Sequence, residues 1–189
     1  LRDVGCAGHA VRSVLAALGS PSWGIYNGYE LFENKLRPGF DGQIDHVKYE
    51  VKVLDWDEAD KYGISELLTS LNKIRSEHPA CRSYHNLHVL PSDDAGVVAF
   101  LRQTPAELTG TGKPDTVIVV VSLDGPHAHQ SIVHIEEPDF GFATDKPLKV
   151  RDELETLARN EAPGLGADTV QPAGPPVSGE QRFIAWRCR

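Results

Sequence analysis

Ser20-Pro21-Ser22-Trp23-Gly24-Ile25-Tyr26-Asn27-Gly28-Tyr29-Glu30-Leu31 lies between a helix-like segment and a polar loop, and its interpretation governs how both neighbours are understood. Pro21 bars helix on its N-terminal side, and the Trp, Ile and Tyr content favours extended backbone. Gly28 lets the chain bend where Tyr29 and Glu30 emerge. The run is therefore expected to be one buried strand whose end faces a site.

Working outward, Ala10, Val11, Val14, Leu15 and Leu18 recur at helical spacing from Ala7 to Leu18, with Gly19 and Pro21 as a stop, so a helix should feed the strand. On the other side, Phe32 to Gln43 carries Asn34, Pro38, Gly39, Asp41 and Gly42, which is turn chemistry and predicts a surface loop. Val47, Tyr49, Val51 and Val53 alternate as in a short strand. A second helix is expected from the apolar stripe Ile64, Leu67, Leu68, Leu71 and Ile74, with Lys73, Arg75, Glu77 and His78 outside it and Pro79 as terminator.

Past Ala80 the texture turns to short β-type runs: Tyr84 to Leu90, Val97 to Arg102, Thr116 to Leu123, Ser131 to Glu137 and Leu148 to Leu154. Turn-rich breaks separate them, which predicts an antiparallel β-sandwich over 81–160 with Val117 to Val121 as its central, doubly buried strand. Residues 161–189 form a tail whose Ala162 to Gly179 part is rich in Pro, Gly and Ala and is expected not to pack. Arg182 to Trp186 could dock as a last strand. A lone helix–strand–helix block cannot cover its own strand. Residues 1–80 are therefore expected to be the closing part of a (β/α)8 barrel, which needs roughly 250 residues. The fold class is thus α/β plus all-β, barrel remnant followed by sandwich.

Composition narrows the function classes. The 189 residues hold 40% hydrophobic side chains, enough for a core, and 19 basic against 27 acidic residues give a net charge of −8. No basic stripe offers itself to nucleic acid or to an anionic membrane, and no apolar run is long enough to span a bilayer. Cys6, Cys81 and Cys188 are distant and odd in number, which suggests reduced thiols and a cytoplasmic location rather than a disulfide framework or a zinc site. The chain opens Leu1-Arg2-Asp3 and contains no Met, so it is expected to be an excerpt of a longer protein.

Gly19-x-Pro21 followed by Tyr26-x-Gly28-x-Glu30 resembles the eighth barrel strand of the α-amylase superfamily (glycoside hydrolase family 13). The resemblance narrows to its maltose-1-phosphate-dependent maltosyltransferases through Lys48-Tyr49-Glu50, Asp55-Trp56-Asp57, Leu71 to Arg75, Glu77-His78-Pro79-Ala80 and Val119 to Asp124, in order across 7–154. It implies transfer of maltosyl units from maltose 1-phosphate to the non-reducing end of an α-1,4-glucan, with retention of configuration. Retention needs a carboxylate nucleophile and a carboxylic acid that later serves as base. The resemblance puts these, with a third carboxylate, on strands preceding Leu1, so no catalytic residue is assigned here and this polypeptide alone is expected to be inactive. No cofactor is expected, and a homodimer of the complete enzyme is compatible with the likeness.

Alone, Lys48 and Tyr49 read as a surface lysine beside a strand tyrosine. The resemblance makes them a donor-binding pair, the ammonium meeting the phosphate and the phenol a sugar hydroxyl or face. Tyr29 and Glu30 would lie at the barrel's active face, with roles left open. His127, His129 and His134 invite a metal reading, but no Cys or well-spaced carboxylate completes a set, and solvent-exposed histidines at a hairpin are expected. Gly110-Thr111-Gly112-Lys113-Pro114 lacks the ending of a phosphate loop and reads as a turn. Alternatives are another superfamily member, such as a trehalose synthase or glucan hydrolase, and a non-catalytic sandwich that binds carbohydrate. The last would need an exposed aromatic platform, yet Tyr84, Phe100, Phe140 and Phe142 are sparse.

Overall fold

The computed structural model describes residues 5–32, 39, 51, 53–58, 64–124, 129–135, 151–154, 170–172 and 180–185. Both expected helices form: α1 is Gly5–Gly19 and α2 is Ser65–Glu77. In α2 the spacing of Leu68, Leu71 and Ile74 buries one face, and the helix stops where His78 turns extended before Pro79. A short third helix, α3 (Ala106–Thr109), ends at Gly110, whose φ of 73° suits a residue without a Cβ.

β1 (Leu87–Leu90), β2 (Val97–Thr104) and β3 (Asp115–Ser122) make an antiparallel sheet in that order. Register aligns Phe100 with Val119 and Leu101 with Ile118, so successive residues serve opposite faces. On one face Phe100, Val117, Val119 and Val121 join Ala17 and Leu18 of α1, Leu71 and Ile74 of α2, and Ala80 and Cys81 in a single buried cluster. On the other, Leu90, Ala99 and Leu101 pack with Val133, flanked by Ile118, Val120 and Ile135. The helix-side core therefore draws on residues before and after position 80. Asp115 stitches the same junction: one carboxylate oxygen lies 2.8 Å from His78 Nδ1 and the other accepts the Ala80 amide at 2.9 Å.

A second three-stranded sheet has the order β4-β6-β5, where β4 is Gln130–His134, β5 Val170–Pro172 and β6 Glu180–Ala185. The edge of β4 away from β6 is not bare. It meets residues 91–93 through the Asp93 amide to the Ile132 carbonyl (3.1 Å), the His134 amide to the Pro91 carbonyl (2.9 Å) and a Ser92–Val133 bridge.

Several expectations need correction. Trp23 to Glu30 is not a strand: residues 23–26 are irregular, 27 and 28 turn, and Tyr29–Leu31 is a 3-10 turn. A strand needs a ladder partner. Here the carbonyls of Ser20 and Pro21 are taken by Arg75 (2.7 and 2.6 Å), while Gly28 at φ 94° and the Tyr29 amide bonded to the Tyr26 carbonyl (2.9 Å) curl the chain. Ile25 and Tyr26 are exposed and do not pack as core. β3 is doubly covered but lies at an edge of its sheet; β2 is central, and its Arg102 is buried too. Residues 151–154 form no strand, because the Asp152 carboxylate accepts the Leu154 amide at 2.9 Å and turns the chain. The Pro-rich stretch does contribute β5, which sits at an edge, where Pro172 can lack an N–H without breaking a ladder.

Candidate functional site

Lys48 and Tyr49 lie outside the described residues, as do His127, Phe140 and Phe142. Tyr29 and Glu30 are described, and both hold their own surroundings together. The hydroxyls of Tyr29 and Ser13 each sit 2.8 Å from the His9 carbonyl and 3.0 Å from each other. The buried His9 ring lies 5.1 Å from the rings of both Tyr29 and Phe32, tilted to the first and edge-on to the second. Glu30 accepts the Gly28 amide at 3.1 Å through its side chain, and its carbonyl accepts the Ile64 amide at 3.2 Å, tying α1's neighbour to the start of α2.

Two arginines gather at the C-terminal end of α1, where unpaired carbonyls and the helix dipole favour positive charge. Arg75 of α2 donates to the Ala17, Ser20 and Pro21 carbonyls. Arg102 of β2, 1% exposed, donates to the Leu18 carbonyl (3.2 Å), the Ser83 carbonyl and the Asn86 side-chain oxygen (2.9 and 3.1 Å). No carboxylate is among those acceptors, so this buried cation is held by carbonyl and amide dipoles. Burial lowers the Arg102 guanidinium from its ordinary value and raises that of the neighbouring Cys81 thiol, which makes Cys81 a small core residue rather than a nucleophile.

Across the sheet, a polar seam joins β4 to the segment before β2. His129 Nδ1 lies 2.6 Å from Asp94 and its Nε2 lies 3.2 Å from Asp124. His134 Nε2 is 2.6 Å from Asp93. Ser131 Oγ is 2.6 Å from Ser92 Oγ and accepts the Asp94 amide at 3.1 Å. His129 and His134, expected to be solvent-exposed at a hairpin, are thus paired with carboxylates, and the His129 side chain is only 20% exposed. Its bonds to Asp94 and then Asp124 raise the His129 ring above its ordinary value, while the bonds from His129 and the Gly96 amide lower Asp94. Beside the seam is an open depression of about 550 Å³ lined by Asp93, Asp94, Ala95, Gln130, Ser131 and Ile132. Among the described residues no cluster of His, Cys, Asp and Glu is arranged to hold a metal ion. The depression has no aromatic lining among the described residues, Tyr84 is exposed with its ring 6.4 Å from that of His85, and Phe100 is core.

Residues 89–158 match the family described as GLGE, C-terminal. That match spans 70 of the chain's 189 residues. It is similar to the α-1,4-glucan:maltose-1-phosphate maltosyltransferase of Bifidobacterium longum, 67% identical over 154 residues that cover 82% of this chain and 21% of that protein. Over the same shares it is 53% identical to the enzyme of that name from Bifidobacterium animalis subsp. lactis. The maltosyltransferase of Arcanobacterium haemolyticum is 41% identical over 170 residues, 87% of this chain and 25% of that protein. The chain spans about a fifth of the length of the first two relatives. No helix among the described residues is long and apolar enough to cross a membrane.

Reading the residues in order misses the two structural centres of this domain. Arg102 had a usable signal, since it shares strand parity with Val98 and Phe100 and so must point into the helix-side core. The Asp94–His129–Asp124 cluster had none, because its members are separated by 35 and 5 residues and meet only when β4 lies against residues 91–94.

Proposed function

We propose that this chain is the C-terminal part of a maltosyltransferase that moves maltosyl units from maltose 1-phosphate to the non-reducing end of α-1,4-glucans with retention. The observation that carries the reading is the 67% identity over 154 residues to a relative of that name. In this reading residues 1–80 complete a (β/α)8 barrel, 81–160 are a sandwich docked on its closing helices, and the reacting carboxylates belong to parts of the enzyme outside this chain. The packing of α1 and α2 on the sheet supports such a docking: they bring apolar stripes to one shared core, and Arg75 and Arg102 hold the end of α1 from two sides. A sandwich placed in this way keeps the last barrel helices in register, while the chemistry proceeds at the barrel mouth.

Lys48 and Tyr49 bind the donor in this reading. The ammonium of Lys48 offsets the charge of the leaving phosphate, and Tyr49 orients the adjacent sugar; neither is a nucleophile. Lys48→Ala removes a hydrogen bond to an ionised group, about 1.5–3 kcal/mol, or roughly ten- to a hundredfold in donor affinity. Calorimetry with maltose 1-phosphate on the full-length enzyme, made inactive at its nucleophile, measures this. A dissociation constant unmoved by Lys48→Ala returns Lys48 to an ordinary surface lysine.

A further inference from the structure

His129 touches two carboxylates with its two ring nitrogens, Asp94 at 2.6 Å and Asp124 at 3.2 Å. Ionised carboxylates only accept hydrogen bonds, and a neutral imidazole carries one N–H and one lone pair. Both contacts can be hydrogen bonds together only when both ring nitrogens bear protons. The ring is also seated tightly: a Cβ on Gly96 would fall 2.8 Å from His129 Cε1, so residue 96 is kept to a glycine by the imidazole rather than by its backbone angles. The two carboxylates come from different connections, Asp94 from between β1 and β2 and Asp124 from after β3, while His129 begins β4.

We propose that His129 is a proton-dependent staple: as an imidazolium it fastens the start of β4 to both Asp94 and Asp124, and on losing its proton it releases this end of β4 from the first sheet. One contact becomes lone pair against carboxylate when the proton leaves, and the ring must rotate or withdraw from one partner. The far end of β4 stays attached when His129 lets go, since it is held by the His134 amide on the Pro91 carbonyl, by Val133 in the core and by the separate His134–Asp93 contact. The release is therefore local to residues 129–131 and the hydroxyl pair Ser92–Ser131 beside them.

Asp93 is engaged with His134, and on β6 the register sets Arg182 opposite Ile132 and Glu180 opposite His134, both further along β4 than position 129. His127 lies outside the described residues. The sign follows from the directions. His129 is raised, so its contribution is complete below the ordinary histidine value of 6.5 and is lost as pH climbs through its folded value. Asp94 is lowered, so its contribution is present above 3.8 and is lost as pH falls through its folded value. The staple is closed between those limits.

Ring nitrogen NMR on the whole 189-residue chain reads this directly. At a pH near the ordinary histidine value His129 should show two protonated ring nitrogens, and it should titrate above that value. Amide exchange at Asp94, whose N–H is accepted by Ser131 Oγ across the seam, corrected for intrinsic rate, should accelerate several-fold as His129 deprotonates while amides of β2 stay unchanged. Asp124→Asn, which keeps the Asp94 contact and the local volume, should draw the titration back toward the ordinary value. A His129 that titrates at the ordinary histidine value, or Asp94 amide protection indifferent to its protonation, overturns the proposal. Both of those readings are made on the unaltered chain, so the outcome does not depend on how any variant folds.

Discussion

The two faces of the β1-β2-β3 sheet are held by different physics. On the helix side, ten buried residues from both helices, two strands and the 79–82 turn form a continuous apolar cluster, bordered by arginines bonded to main-chain carbonyls and by the His78–Asp115 contact. On the β4 side, the apolar cluster is four residues, and histidine–carboxylate and serine–serine contacts do the rest of the joining. Apolar packing is insensitive to proton concentration, and an arginine keeps its charge across the working range. Histidine does not. The same strand β2 thus presents one face held chiefly by apolar packing and arginines, with the His78–Asp115 contact at its border, and another held largely by histidine–carboxylate and hydroxyl contacts.

Leu71→Ala should break the comparison most severely. Leu71 is fully buried on α2 in the larger cluster, and its truncation leaves a cavity costing roughly 2–5 kcal/mol in urea unfolding, with little pH dependence. A loss much below that range would show that the helices rest on the sheet without being cored into it. Arg102→Met comes next, at about 2–3 kcal/mol. It keeps an unbranched stem but leaves the Leu18 and Ser83 carbonyls and the Asn86 side chain without their donor. Arg102→Lys should recover only part of this, because an ammonium cannot span acceptors lying on separate segments; equal stability of the Lys and Arg proteins would mean that charge alone suffices. Ser131→Ala is the smallest, about 1 kcal/mol, since it removes one acceptor for the Asp94 amide and one partner of Ser92. Its loss should shrink as pH rises through the folded value of His129, because the hydroxyl pair opens with the histidine contact; a loss flat in pH would separate the pair from the proton-linked unit.

Local pattern decided much that proved right. The stripe Leu68, Leu71 and Ile74 and its Pro79 stop give one amphipathic helix, and the short apolar runs at 97–102 and 116–123, rich in β-branched residues and bounded by turn residues, give strands. The motif order from Gly19 to Asp124 likewise carried the family resemblance, because the residues concerned are close in sequence and keep their spacing.

What local pattern could not decide was every feature that depends on a neighbour distant in sequence. Trp23 to Tyr26 has strand-like residues and no strand, because extended backbone is stable only beside a partner, whereas Arg75, more than fifty positions away, takes the carbonyls at its start. Val117 to Val121 reads as a central strand from its unbroken apolar run, yet it is an edge strand covered on both faces; the run reports burial, and only the sheet order says which strand lies between two others. The Pro-rich stretch near Val170 forms β5 because β6 offers it an edge. His129 looks in sequence like any histidine beside a turn, and what makes it a cation held between two carboxylates is the tertiary approach of Asp94 and Asp124, since hydrogen bonding depends on distance in space and residue spacing does not record it.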